Sequence, residues 1–298
     1  MRTRRRQARM FELAPGRLGA DGPAARRPKL ALAQTRKLVV RSASLISIMM
    51  LIVYAIVMAS PAGTAADSAP PLLTPSVPLS ATSVTSVSAV GALFVTSARG
   101  ATTHFCTASV VHSPQRDMVI TAAHCLAPYL ASPRQVTFVP GYHDGKAPYG
   151  VWTTARVIVD QAWASVGDPD DDVAFLIVTS PAGSRIEDVT GSEQLGVGQQ
   201  STGVVRVLGY PSSRQQPISC QNYAANFSAQ QLQFKCDGFT GGTSGGPFLS
   251  DVSPTTGDGL VVGVIGGHEQ GGLTPAISYS PTFGSNVAAL YRAAVAAN

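Results

Sequence analysis

Three short stretches of this 298-residue chain carry side chains that could act together on an acyl group. Thr121-Ala122-Ala123-His124-Cys125 closes an apolar run, Asp172-Val173-Ala174-Phe175-Leu176 opens another, and Gly241-Gly242-Thr243-Ser244-Gly245-Gly246-Pro247 forms a glycine-rich turn ahead of Phe248-Leu249. A serine hydroxyl is a weak nucleophile at neutral pH and needs a base within hydrogen-bond reach. Imidazole suits that role because its unperturbed pKa lies near the working pH. The base in turn needs a carboxylate to fix its tautomer and stabilise the imidazolium. The tetrahedral oxyanion needs two donors already in place, and a bend at Gly242–Ser244 can aim two N–H groups at one point. Glycine permits the positive φ and the close approach that such a bend requires. Singly, each stretch has an ordinary reading: a packed histidine, a turn aspartate, a turn. Their order and contexts together point to catalysis with Ser244 as nucleophile and His124 as base. The acidic run Asp168, Asp170, Asp171 and Asp172 offers the carboxylate.

These residues need a scaffold, and the composition points to strands. Hydrophobic residues make up 45% and charged residues 13%, with 29 Gly and 21 Pro, which favours short strands and many turns. The runs Ala92–Thr96, Thr107–Val111, Met118–Thr121, Gln135–Val139, Thr153–Val159, Val173–Val178, Gly203–Gly209, Gln231–Cys236, Phe248–Ser250 and Leu260–Ile265 are apolar or alternating and separated by Gly, Pro, Asp and Ser. Such spacing predicts an all-β sandwich or barrel. One helix is predicted, over Asn286–Ala297, capped by Ser285, with Val287, Leu290, Tyr291 and Ala294 on one face.

The net charge of +5 is unevenly placed. Residues 1–65 hold 12 of the 22 Lys+Arg and 2 of the 17 Asp+Glu, which leaves 10 basic and 15 acidic residues in 66–298, a formal −5. The basicity belongs to the leader, so no nucleic-acid partner is expected for the rest. Leu45–Ala59 is uncharged and apolar, follows Arg36, Lys37 and Arg41, and precedes small residues. That is the order of a secretory signal, and the run is shorter than the ~18 residues that argue for a spanning helix. The expected organisation is a basic leader (1–44), a signal core and cleavage region or signal-anchor (45–66), a Pro/Ser/Thr-rich linker or pro-segment (67–86), and a globular domain (87–298). The product is expected outside the cell, touching a membrane only through an uncleaved N-terminal segment.

Cys106, Cys125, Cys220 and Cys236 all follow the signal, where export permits disulfides. Four cysteines allow three connectivities. Cys106–Cys125 and Cys220–Cys236 are favoured, since each pair brackets two neighbouring β runs and closes a short loop that stabilises by roughly 3 kcal/mol. No Cys-x-x-Cys pair is present, which argues against zinc.

On its three motifs, the chain from about 87 to 298 resembles the chymotrypsin-type (trypsin-like) serine peptidases, in particular their bacterial trypsin-like and glutamyl-endopeptidase-like branch. His104-Phe105-Cys106 resembles that family's strand whose cysteine bridges to the one beside the catalytic histidine. The chain order His, Asp, Ser excludes a subtilisin-like arrangement. The resemblance implies an all-β fold of two packed six-stranded antiparallel β-barrels with a C-terminal helix. The first barrel would run from about Val87 to Val178 and the second from about Gly191 to Ile277, with the site between them. It selects Asp172 from the acidic run and makes the N–H groups of Gly242 and Ser244 the oxyanion donors. It implies a monomeric endopeptidase acting on protein or peptide substrates, with neither metal nor organic cofactor. The competing reading is a peptidase-fold binding module at the cell surface that has lost activity.

Departures from the family pattern bear on control and specificity. Thr243 stands where activated members carry the Asp that pairs with a new N-terminal amine, so that switch is expected to be absent. Gly266 and Gly267 stand in the pocket wall where Ser and Trp are frequent, which leaves Asp172 without an expected hydroxyl. Gly238 is expected at the pocket floor, with Asp237 adjacent, and Phe239 and Ile265 would suit an apolar side chain. His268 and Glu269 are expected at the rim. The expectation is cleavage that is not strictly tryptic, because a floor without an acid rejects a buried cation.

Overall fold

The computed structural model describes residues 79–97, 100–180, 182–199 and 202–298. The expected leader, the apolar segment and residues 67–78 of the expected linker lie outside the described residues.

Six strands close a barrel in the order β2-β3-β4-β7-β6-β5. They are β2 (Val90–Ser97), β3 (Gly100–Val111), β4 (Met118–Thr121), β5 (Val136–Pro140), β6 (Trp152–Val159) and β7 (Ala174–Thr179). Every neighbouring pair is antiparallel. All four residues of β4 are buried, because both faces are covered. Val119 and Leu176 point with Leu93, Val110, Phe138 and Trp152 into one core cluster. Ile120, Phe175 and Ile177 belong to another, which includes Val287, Leu290 and Ala294 of the terminal helix. A strand buried on both faces reads as continuous apolar sequence, as Met118–Thr121 does.

The second half is an eight-stranded sheet with its two ends brought together, in place of the six-stranded barrel implied by the resemblance. It consists of β1 (Thr82–Ser83), β8 (Gln194–Leu195), β9 (Gly203–Gly209), β10 (Ile218–Asn226), β11 (Gln231–Lys235), β12 (Pro247–Ser250), β13 (Leu260–Val264) and β14 (Ile277–Pro281). The order is β14-β11-β10-β9-β12-β13-β8, with β1 beside β10. β13 and β14 are not ladder partners, yet Val264 N–H donates to Ser280 Oγ at 2.9 Å and Gly266 N–H to Tyr279 O at 3.0 Å. Val205, Val207, Leu232, Phe234, Phe248 and Val262 fill the space the sheet encloses.

Within residues 79–86, expected as linker, Thr82–Ser83 is a strand of this sheet and Ser80 bridges to Asp237. Ala81 N–H donates to Asp237 O and Asp237 N–H to Leu79 O, both at 2.7 Å, and Thr82 and Ser83 pair with Ser219 and Ile218. Backbone bonding to a sheet edge compensates for the segment's poor apolar content. Among the described residues the α-helices are α1 (Gln161–Val166), α2 (Ile186–Thr190) and α3 (Ser285–Ala296). Gly284, not Ser285, occupies the N-cap position of α3, and no side chain caps it.

The two halves are joined through Glu193 as well as through the chain. Its N–H donates to Val110 O, its carbonyl accepts from His112 N–H, and its wholly buried carboxyl accepts Gly259 N–H through Oε2. Oε1 has no partner. Burial first, then the nearby Asp258 carboxylate, pushes this carboxyl up to about 8, against the opposing pull of Gly259 N–H and Arg206. The folded state therefore holds a proton that the unfolded state has released above about pH 4.5. The stability this group contributes falls as pH rises from about 4.5 to about 8. Glu193→Gln is expected to unfold near the parent's temperature at pH 5 and several degrees above it at pH 8 (by thermal unfolding across that range), at roughly 1.4 kcal/mol per pH unit as an upper slope.

Candidate active site

His124 lies in a single 3₁₀ turn, Ala123–Cys125, that follows β4 after one residue, Ala122. Its position is set on both sides. Cys125 is bonded to Cys106 of β3, and the second expected disulfide, Cys220–Cys236, is also formed. The sulfurs of Cys106 and Cys125 lie near the His124 ring, but as a disulfide they offer no thiolate to a metal. His124 backbone N–H donates to Asp172 Oδ1 at 2.8 Å, and its Nδ1 lies 2.7 Å from Asp172 Oδ2. A carboxylate at Nδ1 holds the proton there and leaves the lone pair on Nε2.

Asp172 directly follows a 3₁₀ turn, Pro169–Asp171, two residues before β7 begins. Only 3% of its side chain is exposed. Its oxygens accept a third N–H, from Gly267 at 2.8 Å. The glycines of the wall thus leave no deficit at Asp172: a backbone N–H takes the place of the hydroxyl expected there. A Cβ on Gly266 would lie 3.0 Å from Asp172 Oδ2, so a larger residue would crowd the carboxylate. The other acids of the run are occupied elsewhere. Asp168 Oδ1 caps Asp170 N–H, Asp170 Oδ1 accepts from Gln231, and Asp171 Oδ1 accepts from Asn286.

Ser244 is half-buried in the turn between β11 and β12. The first barrel holds its backbone, with Thr107 N–H donating to Ser244 O at 2.7 Å. Thr107 directly follows Cys106, so the disulfide and this bond bring the serine turn to the histidine turn. Gly245 has φ +80° and leaves no room for a side chain: a Cβ there would lie 2.0 Å from Thr121 Oγ1. Gly242 has φ +96°. Among the described residues, no protein acceptor is recorded for the N–H of Gly242 or Ser244. Thr243 is buried and its hydroxyl donates to Thr240 O at 2.8 Å, so the bend has a local partner at the position where the resemblance leads one to look for an acid.

A cavity of about 230 Å³ opens beside Ser244, lined by Phe239, Thr240, Ile265, Gln270, Leu273 and Pro275 among others, none of them charged. Phe239 N–H donates to Pro275 O at 3.1 Å and joins two of its walls. Phe239 and Ile265 are in the lining as expected, whereas Gly238, Gly266, Gly267 and His268 are not. Gly238 turns away with φ +112°, and a Cβ on it would face Ala81 and Ile218. The cause is the N-terminal segment: bonded on both sides of Asp237, it draws that residue to the outer surface, where its carboxylate accepts Gly238 N–H at 2.9 Å. Gly266 and Gly267 serve Asp172 instead. The His268 ring packs against Phe227 and Tyr279, each with centroids 4.7 Å away, and sits 3.7 Å from Glu269.

Residues 106–264 match the trypsin-like peptidase domain model. The chain belongs to the trypsin-like peptidase family. Solved structures agree. Protease Anisep from Arthrobacter nicotinovorans is 29% identical, with 72% of this peptidase and 98% of that chain covered and a TM-score of 0.60. The thermostable serine protease AL20 from an extremophilic microorganism is 26% identical, with 71% and 99% covered and a TM-score of 0.60. A Glu endopeptidase in complex with MPD shares the fold at 18% identity, with 73% and 97% covered and a TM-score of 0.56. A search of curated proteins finds no match.

Sequence reasoning missed Gln231, the first residue of β11. It is 4% exposed, and its one amide ties together both neighbours of Asp172 in the peptidase. Nε2 donates to Pro169 O at 3.0 Å and to Asp170 Oδ1 at 2.6 Å, while Oε1 accepts His268 N–H at 3.1 Å. The partners fix which atom is oxygen, since two acceptors face one end and a donor the other. Nothing local marks Gln231; its partners lie 37 to 62 residues away. Gln231→Leu is expected to lower stability by about 1–2 kcal/mol, because it removes three hydrogen bonds to part-buried partners. Gln231→Glu sets a carboxylate against Asp170, and adding Asp170→Asn is expected to recover most of the loss. Thermal unfolding of the two single variants and the double variant measures that coupling.

Proposed function

We propose that this peptidase is an active serine endopeptidase that cleaves protein or peptide chains through an acyl-enzyme. The observation that carries the reading is the His124–Asp172 pair: a buried carboxylate bonded to Nδ1 of a histidine whose turn is disulfide-linked to β3, one residue before the Thr107 that bonds the serine turn. In this reading Ser244 Oγ attacks the carbonyl carbon as its proton passes to His124 Nε2, while the N–H groups of Gly242 and Ser244 receive the oxyanion. His124 then gives that proton to the leaving nitrogen, the C–N bond breaks, and the acyl group stays on Ser244 Oγ. Water repeats the sequence, losing a proton to His124 and displacing Ser244, which recovers one. Asp172 keeps the imidazole oriented and balances its positive charge throughout. These intact residues favour an enzyme over an inactive binding module.

The uncharged cavity supports a preference for an uncharged, apolar side chain on the acyl side of the cut. A buried ammonium or guanidinium without a partner costs several kcal/mol, and Phe239, Ile265, Leu273 and Pro275 offer none. Two disulfides support an extracytoplasmic site of action, and the sequence order of residues 36–66 supports export. No helix among the described residues is long and apolar enough to cross a membrane.

Ser244→Ala is expected to lower kcat by at least a thousandfold while leaving the unfolding temperature within a few degrees of the parent. Matched peptides ending in Leu or Phe are expected to exceed those ending in Arg or Glu by about tenfold or more in kcat/KM. A hundredfold preference for Arg would contradict the uncharged pocket, and undiminished hydrolysis by Ser244→Ala would contradict the nucleophile.

A further inference from the structure

Thr107 grips the serine turn with more than its backbone. Its side chain is completely buried. Its hydroxyl donates to Gly242 O at 2.9 Å and accepts Tyr210 N–H at 2.8 Å. Its N–H donates to Ser244 O at 2.7 Å. One residue of the first barrel therefore holds both ends of the Gly242–Ser244 bend. It also holds the residue that follows β9, on which the bend rests. The other end of the same residue faces the base: Thr107 O accepts Thr121 Oγ1–H at 2.7 Å, three residues before His124. A Gly242 carbonyl turned towards Thr107 fixes the plane of the Gly242–Thr243 peptide, and with it how successive N–H groups point. Inside the bend, Thr243 is neutral and bonded to Thr240 O, so no charged group waits there for an outside partner.

We propose that the Thr107 hydroxyl is a positioning group that presets the oxyanion-binding bend, so that the bend takes its working shape without an ion pair to any chain terminus. The proposal rests on the reading of Ser244 as nucleophile and extends it to how the site is made ready. The bend is assembled by folding of the barrel and the second sheet against each other. A donor held in place beforehand counts in the transition state more than in substrate binding, because the oxyanion exists only there. Loss of the hydroxyl should therefore appear in kcat and leave KM nearly unchanged.

The test compares Thr107→Val, which keeps the shape and removes the hydroxyl, with Thr107→Ser, which keeps the hydroxyl and removes the methyl. Kinetics on one good peptide, with active sites counted by a serine-directed phosphonate, are expected to show kcat down roughly ten- to a hundredfold in Thr107→Val at near-constant KM. Affinity for a peptide aldehyde inhibitor is expected to weaken in parallel, and Thr107→Ser should stay within about threefold of the parent. Amide hydrogen exchange over residues 242–246 is expected to quicken in Thr107→Val only. Equal kcat in Thr107→Val and parent, an effect confined to KM, or equal losses in Thr107→Val and Thr107→Ser would each overturn the proposal. If Thr107→Val does not fold, Thr107→Ala against Thr107→Ser carries the same contrast. A parent protein that neither hydrolyses peptides nor reacts with the phosphonate would sink the catalytic reading instead, and the exchange rates would still decide whether the hydroxyl holds the bend.

Discussion

A carboxylate removed from water needs hydrogen-bond donors to replace its lost hydration. Asp172 meets that condition with three N–H groups, two from His124 and one from Gly267. The rest of the site follows from where those donors come from. His124 is supplied by the turn after a first-barrel strand, and Gly267 by the strand end that also borders the cavity. The third of these donors arrives only when the two halves are docked. The His124 ring is oriented within the first half, docking of the second half adds the third donor, and the burial that makes Asp172 costly alone makes it specific when partnered.

The same economy recurs around it. Gln231 fixes the loop before Asp172 and the segment after Gly267 with a single amide. The Cys106–Cys125 bond ties the histidine turn to β3 one residue before Thr107 grips the serine turn. Glycines stand where backbone meets backbone without space for a Cβ, as at Gly245 against Thr107 O and Gly246 against Leu208 O. The molecule brings its polar groups together through a few residues with partners on several sides, each held from more than one direction.

What was readable beforehand was what local sequence carries. TAAHC, the aspartate opening an apolar run and the glycine-rich serine turn each combine residue types whose chemistry and spacing are intelligible within a few positions. The apolar strands β4 and β7 and the amphipathic α3 announced themselves in the same way. β10 and β14 did not. Ile218–Asn226 mixes Ser, Cys, Gln and Asn with its apolar residues, and Ile277–Pro281 buries two serines whose hydroxyls or neighbours bond within the sheet. Their strand character comes from partners, not from pattern. Counting back from Ser244 placed Gly238 in the pocket. The count could not foresee that Leu79–Ala81 would draw Asp237 outward, since a short stretch rich in Ser and Thr gives no sign of adding to a sheet edge. Gln231 and Thr107 were silent for the same reason: an isolated glutamine or threonine acquires meaning only from atoms distant in the chain.

The central claim is that Ser244 is a nucleophile made reactive by His124. It is tested most directly by treating the purified protein with a peptidyl phosphonate and locating the adduct by peptide mass spectrometry. The account predicts one adduct per chain, on the peptide that contains Ser244. Its rate of formation should drop by at least a hundredfold in His124→Ala, while the variant still folds. An adduct on another residue, no adduct at all, or a rate untouched by His124→Ala would contradict it.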